Sequence, residues 1–204
     1  VGKVLADESK ENGISINLGP GGNLHRNILC GRHPEYYSED PILTGTLMAY
    51  QARGLEENGV IATYKHLIAN NMEFERKSAH GIIDENTLRD LYLRVFDKAF
   101  SLYKPGCVMT SYNPVNGIYP CENSALLNDL LRGEWGFDGF VMTDWGSYDT
   151  ADSIRSVCAG TNLLTPGSKK HFRMILKAVK RNEISKAALQ HSVKQIVKVL
   201  VRCI

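Results

Sequence analysis

Apolar positions along the chain fall into two kinds of run that take turns. Val60-Ile61-Ala62-Thr63-Tyr64, Cys107-Val108-Met109-Thr110 and Phe140-Val141-Met142 are apolar almost throughout, which predicts interior strands. Ile14-Ser15-Ile16-Asn17-Leu18 alternates and predicts a strand ahead of the turn Gly19-Pro20-Gly21-Gly22, and residues 156–164 predict a fifth. Between these lie stretches of helical period. The chain opens on the end of a helix stopped by Gly13, and Ser38-Glu39-Asp40-Pro41 starts another that runs to about Asn58, before Gly59. Asp84-Glu85-Asn86 opens a long helix. Its Leu88, Leu91, Tyr92, Val95, Phe96, Ala99 and Phe100 share one face until Pro105-Gly106 ends it. A short helix is predicted over 124–132, and two amphipathic ones over 168–181 and 185–201.

Non-alternating strands separated by helices predict an α/β fold, a parallel sheet covered by helices. Polar and reactive residues gather at the C-terminal end of each strand, the face that carries the site in both barrels and doubly wound sheets. About five strands fall short of the eight of a closed barrel of ~250 residues, so the pattern fits either an open sheet or part of a barrel.

Composition narrows the function without choosing it. The 204 residues are 43% hydrophobic and 23% charged, enough for one domain with a sizeable core. The formal charge of +2 is spread along the chain, which predicts neither a nucleic-acid nor a membrane partner. The densest basic run, Lys169, Lys170, Lys177, Lys180 and Arg181, reads as a solvated helix face. No apolar run approaches the ~20 residues of a membrane span, and no basic-then-apolar signal pattern opens the sequence. Cys30, Cys107, Cys121, Cys158 and Cys203 are odd in number and lack the close pairing of a zinc site. They read as reduced thiols, with Cys107 and Cys158 as small hydrophobes in apolar strands. The expectations are a reducing, cytoplasmic setting and no metal or cofactor.

The chemistry sits at the strand ends. Phe140-Val141-Met142 runs into Thr143-Asp144-Trp145-Gly146, which delivers a carboxylate beside an indole at the mouth of a buried strand. That pairing suits a sugar: the aromatic face covers pyranose C–H bonds while the carboxylate meets positive charge at the anomeric carbon. An Asp capping the next helix is the plainer alternative. Arg32, Lys65-His66, and Met109 with Tyr112 occupy the corresponding places on other strands. Arg and Lys donate to hydroxyls, His and Tyr can do either, and Met and Trp supply an apolar wall. Taken singly, Arg32 could pair with Glu35, Lys65 be solvated, His66 be a core histidine and Tyr112 be a packed turn residue. Their shared position at strand ends favours one site around a small polyhydroxylated ligand.

The strings NLHRNILCGRHPEYYSEDP, ATYKHLIANN, VMTSYNPVNGIYPCENSALLNDLLRGEWGFDGFVMTDWG and AGTNLLTPG resemble the N-terminal (β/α) barrel domain of glycoside hydrolase family 3, close to its β-glucosidases. The resemblance covers essentially the whole chain. It implies a partial (β/α)8 barrel of TIM type, with residues 1–204 forming its C-terminal part and the first strands and the acid/base domain lying elsewhere. It implies that Asp144 is the catalytic nucleophile, that Arg32, Lys65, His66 and Tyr112 hold the terminal sugar, and that Met109 and Trp145 line the subsite. It also implies a general acid/base and a further sugar-binding Asp outside this segment. Where the family has GLDMEMPG, this chain has Gly160-Thr161-Asn162-Leu163-Leu164-Thr165-Pro166-Gly167, with fewer acidic groups.

The implied activity is retaining hydrolysis of a terminal β-linked sugar from a β-glucoside or oligosaccharide. A β-hexosaminidase is disfavoured because Leu67-Ile68-Ala69-Asn70 follows Lys65-His66, and a β-xylosidase is less disfavoured. A Schiff-base aldolase would also place a lysine where Lys65 stands. A catalytically incomplete sugar-binding or structural subunit is the non-enzymatic alternative, and the remaining domains or another subunit are the expected partners. Glu73 and Glu75 are the nearest candidates for a second catalytic carboxylate, with a surface-loop role expected for both.

Overall fold

The computed structural model describes residues 1–203, apart from the side chain of Cys203. In chain order it contains α1 (Gly2–Glu11), α2 (Pro41–Glu56), β1 (Thr63–Leu67) and α3 (Glu85–Thr87). That last helix continues through a π-helical stretch (Leu88–Leu93) into α4 (Arg94–Leu102). Then come β2 (Cys107–Thr110), a second π-helical stretch (Ala125–Glu134), β3 (Phe140–Met142), α5 (Ser153–Ala159), α6 (Lys169–Lys180) and α7 (Lys186–Leu200). The caps explain the starts. Asp40, Asp84, Asp152, Ser168 and Ser185 each accept from amides that a first turn leaves unpaired.

β1, β2 and β3 form a parallel sheet in that order. Single parallel bridges extend it at both edges: Ile16 to Ile61 and Gly21 to Lys65 on one side, Met142 to Leu163 on the other. Five chain segments therefore lie side by side in sequence order, the expected parallel α/β arrangement.

Side-chain alternation divides the core between the two sheet faces. Tyr64, Val108 and Val141 enter the larger cluster with Met48, Leu55, Phe96, Phe100, Leu127 and Leu131 from the covering helices. Ile61, Cys107, Met109, Phe140 and Met142 form the smaller one, against Val199 and Ile196 of α7. The helix layer is tight: a Cβ on Gly45 of α2 would sit 2.4 Å from the Val95 carbonyl of α4.

Residues 156–164 do not form the expected fifth strand. Asp152 accepts from the amides of Ile154 and Arg155 at 2.8 Å each, and Gly160 takes the left-handed conformation (φ 106°) that ends a helix, so the apolar run winds up as α5. Only the stretch after it follows β3, and there Asn162 Oδ1 takes the Val141 amide at 2.7 Å in place of a backbone carbonyl. Cys158, expected inside a strand, is exposed on α5. Cys30, Cys121 and Cys158 are free thiols, Cys107 is buried in β2, and the expectation for the Cys203 thiol falls outside the described residues. The basic run from Lys169 to Arg181 is exposed, as expected. Among the described residues no helix is long and apolar enough to cross a membrane.

The segments leading into β1 and β2 are tied together by one buried carboxylate. Glu56, with a side chain only 2% exposed, accepts from the Gly106 amide at 2.6 Å, the Ala62 amide at 3.1 Å and the Tyr103 hydroxyl at 3.1 Å, and pairs with Arg202. Replacing it by Ala leaves two interior amides and a hydroxyl without an acceptor. Glu56→Ala is expected to cost about 3 kcal/mol of stability, read as a lower urea midpoint at unchanged slope.

Candidate active site

The polar site begins one pleat beyond the smaller cluster. Phe140 and Met142 of β3 point to that face, Met109 is registered beside Met142, and Asp144 follows two residues further on. Met109 is thus an apolar floor side chain, almost wholly buried beneath the carboxylate's level. On β1 the register shifts between Tyr64 and Leu67, which pair with Val108 and Thr110. Three steps on one strand face two on its neighbour, a bulge of the kind that re-aims side chains at a strand end, and Lys65 and His66 occupy it.

Asp144 is bound on one side and open on the other. Its Oδ1 accepts from the Trp145 amide at 2.7 Å. Oδ2 is buried and has no hydrogen-bond partner among the described residues, yet lies 3.5 Å from His66 Nε2 and 3.9 Å from Arg32 Nη1. Burial pushes the Asp144 carboxyl above its ordinary 3.8, against the opposing pull of the Trp145 amide, Arg32, Tyr112 and Lys65.

His66 is neutral at physiological pH: burial drives its pKa well below 6.5, and Arg32, Lys65 and Arg76 add to the effect. Its contact with Asp144 is therefore no ion pair. Arg32 Nη2 lies 2.9 Å from His66 Nε2 and can only donate, so Nε2 accepts and the ring proton belongs on Nδ1, 3.1 Å from Asn23 Oδ1. Asn23 also accepts from the His66 amide at 3.0 Å and donates to its carbonyl at 2.9 Å. One amide side chain thereby fixes both backbone and imidazole. The Tyr36 hydroxyl lies 3.2 Å from the same Nδ1.

Arg32 pairs with Glu35, and Lys65 Nζ reaches the other Glu35 oxygen at 3.2 Å. The surface pairing weighed for Arg32 does form, but inside the site, where Glu35 fixes both cations. Burial works against the Arg32 charge; Tyr36, Glu35 and Asp144 outweigh it, so its pKa lies above the ordinary value. The Tyr112 hydroxyl donates to the Trp145 carbonyl at 2.6 Å, and burial, reinforced by Asp144, pushes its pKa up to about 12. Trp145 holds the turn with its backbone and leaves its indole half in solvent, 55% exposed.

Arg32, His66, Tyr112 and Asp144 are therefore brought together, Lys65 joins them through Glu35, and Met109 and Trp145 flank them as floor and wall. Sequence reasoning missed Asn23 and Tyr36. A buried amide and a phenol in a loop that already carried His and Arg were the available signal. Glu73 is half-buried and pairs with Arg76 at 2.8 Å, whereas Glu75 is exposed, as expected for a surface loop.

The profile described as "Glycosyl hydrolase family 3 N terminal domain" matches residues 1–199. "Thermostable beta-glucosidase B" of Acetivibrio thermocellus is 41% identical over 201 residues, covering 98% of this chain and 26% of that protein. "Probable beta-glucosidase J" of Aspergillus fumigatus is 39% identical over 203 residues, covering 98% of this chain and 23% of its own length. Among solved structures, β-glucosidase 3B of Thermotoga neapolitana in complex with glucose superposes with a TM-score of 0.94 at 40% identity, over 98% of this chain and 29% of that one. The chain spans about a quarter of the length of the curated relatives it matches.

Because the folded state favours the neutral Asp144 carboxyl, its ionisation lowers stability as pH rises through 3.8 to the higher folded-state value, and the penalty is complete above that value. Asp144→Asn is therefore expected to raise the denaturation midpoint at pH 7. The gain should shrink as pH falls towards 3.8, measured by denaturant titration across that range.

Proposed function

The chain belongs to the glycosyl hydrolase family 3 N-terminal domain family, and we propose that it supplies the nucleophile and sugar-binding face of a retaining β-glucosidase. The observation that carries this reading is the asymmetry of Asp144, with Oδ1 held by its neighbour's amide and Oδ2 buried and open beside Arg32 and His66. An anion so placed is oriented before substrate arrives, which removes part of the entropy of reaching the anomeric carbon.

In the proposed reaction Oδ2 attacks the anomeric carbon as its bond to the leaving oxygen breaks, giving a glycosyl-aspartate. A carboxylic acid about 5–5.5 Å away protonates the leaving group and then draws a proton from the water that frees the sugar. Glu73 is not assigned that role, since it is committed to Arg76. The acid/base belongs to a part of the enzyme outside this chain. Arg32 and Lys65 donate to sugar hydroxyls, neutral His66 adds a further polar contact, and the Trp145 indole covers the apolar sugar face. Lys65, an ammonium paired with Glu35, is arranged for binding and not for Schiff-base chemistry.

The test uses the complete enzyme that carries this chain. A 2-deoxy-2-fluoro-β-glucoside with a good leaving group should leave a stable adduct on the peptide containing Asp144, detected by mass spectrometry. Asp144→Asn should lose the adduct and about a thousandfold or more of turnover, equivalent to several kcal/mol of barrier. Labelling elsewhere, or turnover within about tenfold of wild type, would overturn the assignment.

Arg32→Ala, Lys65→Ala and His66→Ala are each expected to raise KM and lower kcat for an unsubstituted glucoside, because hydroxyl contacts strengthen in the transition state. Unchanged steady-state kinetics for all three would return them to structural roles.

A further inference from the structure

The loop after β1 crosses the mouth of the site and brings two charged residues that the reaction above does not use. Glu73 Oε2 accepts from Arg76 Nη1 at 2.8 Å. Its other oxygen, Oε1, is buried, has no hydrogen-bond partner among the described residues, and lies 4.0 Å from Arg32 Nε. Arg76 in turn lies over the Tyr112 ring, 4.7 Å from its centroid, and the Tyr112 hydroxyl holds the turn behind Asp144. The Glu73–Arg76 pair thus stands between two walls of the site.

Arg32 has more anions around it than one cation can neutralise. Glu35 pairs with it directly, Glu73 lies at 4.0 Å and Asp144 at 3.9 Å, while His66 accepts one of its protons and the Tyr36 ring lies 5.9 Å away. Asp144 also has His66 at 3.5 Å, and Tyr112 and Lys65 act on its carboxyl. Glu73 faces Arg32 Nε and Asp144 faces Nη1, so what the two carboxylates compete for is the position of the guanidinium between them.

We propose that Glu73 is a positioning residue of this site: paired with Arg76 and facing Arg32, it holds the guanidinium back from Asp144 and so keeps the nucleophile basic. The proposal rests on the hydrolase reading above. A buried carboxylate oxygen left without a donor is costly, and a hold on Arg32 gives that oxygen a role. The signs follow from charge alone. Removing the Glu73 anion takes away a charge that faces Arg32 and releases the guanidinium towards Asp144, which favours the ionised nucleophile and makes it a weaker base. Removing the Arg76 cation does the reverse, because Glu73 then acts undivided on Arg32.

The experiment is the pH profile of kcat/KM for a β-glucoside in the complete enzyme, with fluoroglucoside labelling as its reference. Glu73→Gln should move the acidic limb down by about half a pH unit or more, with a lower plateau rate. Arg76→Gln should move it up. Acidic limbs within 0.1 unit of wild type in both variants, or shifts of the opposite sign, overturn the proposal. Should Glu73→Gln fail to accumulate as folded protein, the direction of the Arg76→Gln limb decides alone. Wild-type enzyme that is not labelled at Asp144 would instead sink the hydrolase reading, so the two failures are distinguishable.

Discussion

A carboxylate buried with only half of its hydrogen-bonding capacity used is the constraint to which the rest of this molecule answers. Asp144 spends Oδ1 on its own turn and keeps Oδ2 back, at a cost in stability that burial imposes on any such anion. The surroundings limit that cost without cancelling it. Arg32 stands just beyond hydrogen-bond reach, His66 stays neutral, and Glu35 and Glu73 draw on the same guanidinium. Full compensation would make a more stable fold and leave Asp144 no open oxygen.

The fold meets this requirement by dividing labour along the strands. The stretches that lead into β1 and β2 are locked by Glu56, the strands are apolar on both faces where they enter the core, and the chain turns polar at the β1 bulge, after Met109 and after Met142. The locking groups therefore lie at the opposite end of the strands from Arg32, His66 and Asp144. Loops from four strand ends then converge, and the contacts between them cross long sequence separations: Asn23 to His66, Arg32 to Asp144, Tyr112 to Trp145, Lys77 to Gly146 at 3.2 Å and to Asp149 at 2.8 Å.

Much of this was legible in the sequence because it is local. Apolar runs, the Asp40 and Asp84 caps and the Gly59 stop fix strands and helices through neighbours a few residues away, and the polar residues that end each run announced the face of the sheet. Asp144, Arg32, His66 and Tyr112 were readable for that reason. The fifth strand was not: the run after Asp152 is apolar enough for either structure, and a capping aspartate with a left-handed glycine settled it as a helix. Asn23, Tyr36 and Glu56 were also hidden, since each acts on a partner more than twenty-five residues away and nothing in its immediate sequence distinguishes it from a loop or helix-surface residue; Glu73 was singled out, but its approach to Arg32 was not legible.

The turn behind Asp144 separates two properties of Trp145. Its amide and carbonyl are both engaged, by Asp144 and by Tyr112, while Gly146, in the left-handed conformation (φ 79°), passes its own carbonyl to Lys77. No hydrogen bond in that set passes through the indole. The ring is a panel mounted on a frame that stands without it. Exchanging the panel would change the surface beside Asp144 and leave the hydrogen bonds of the turn in place.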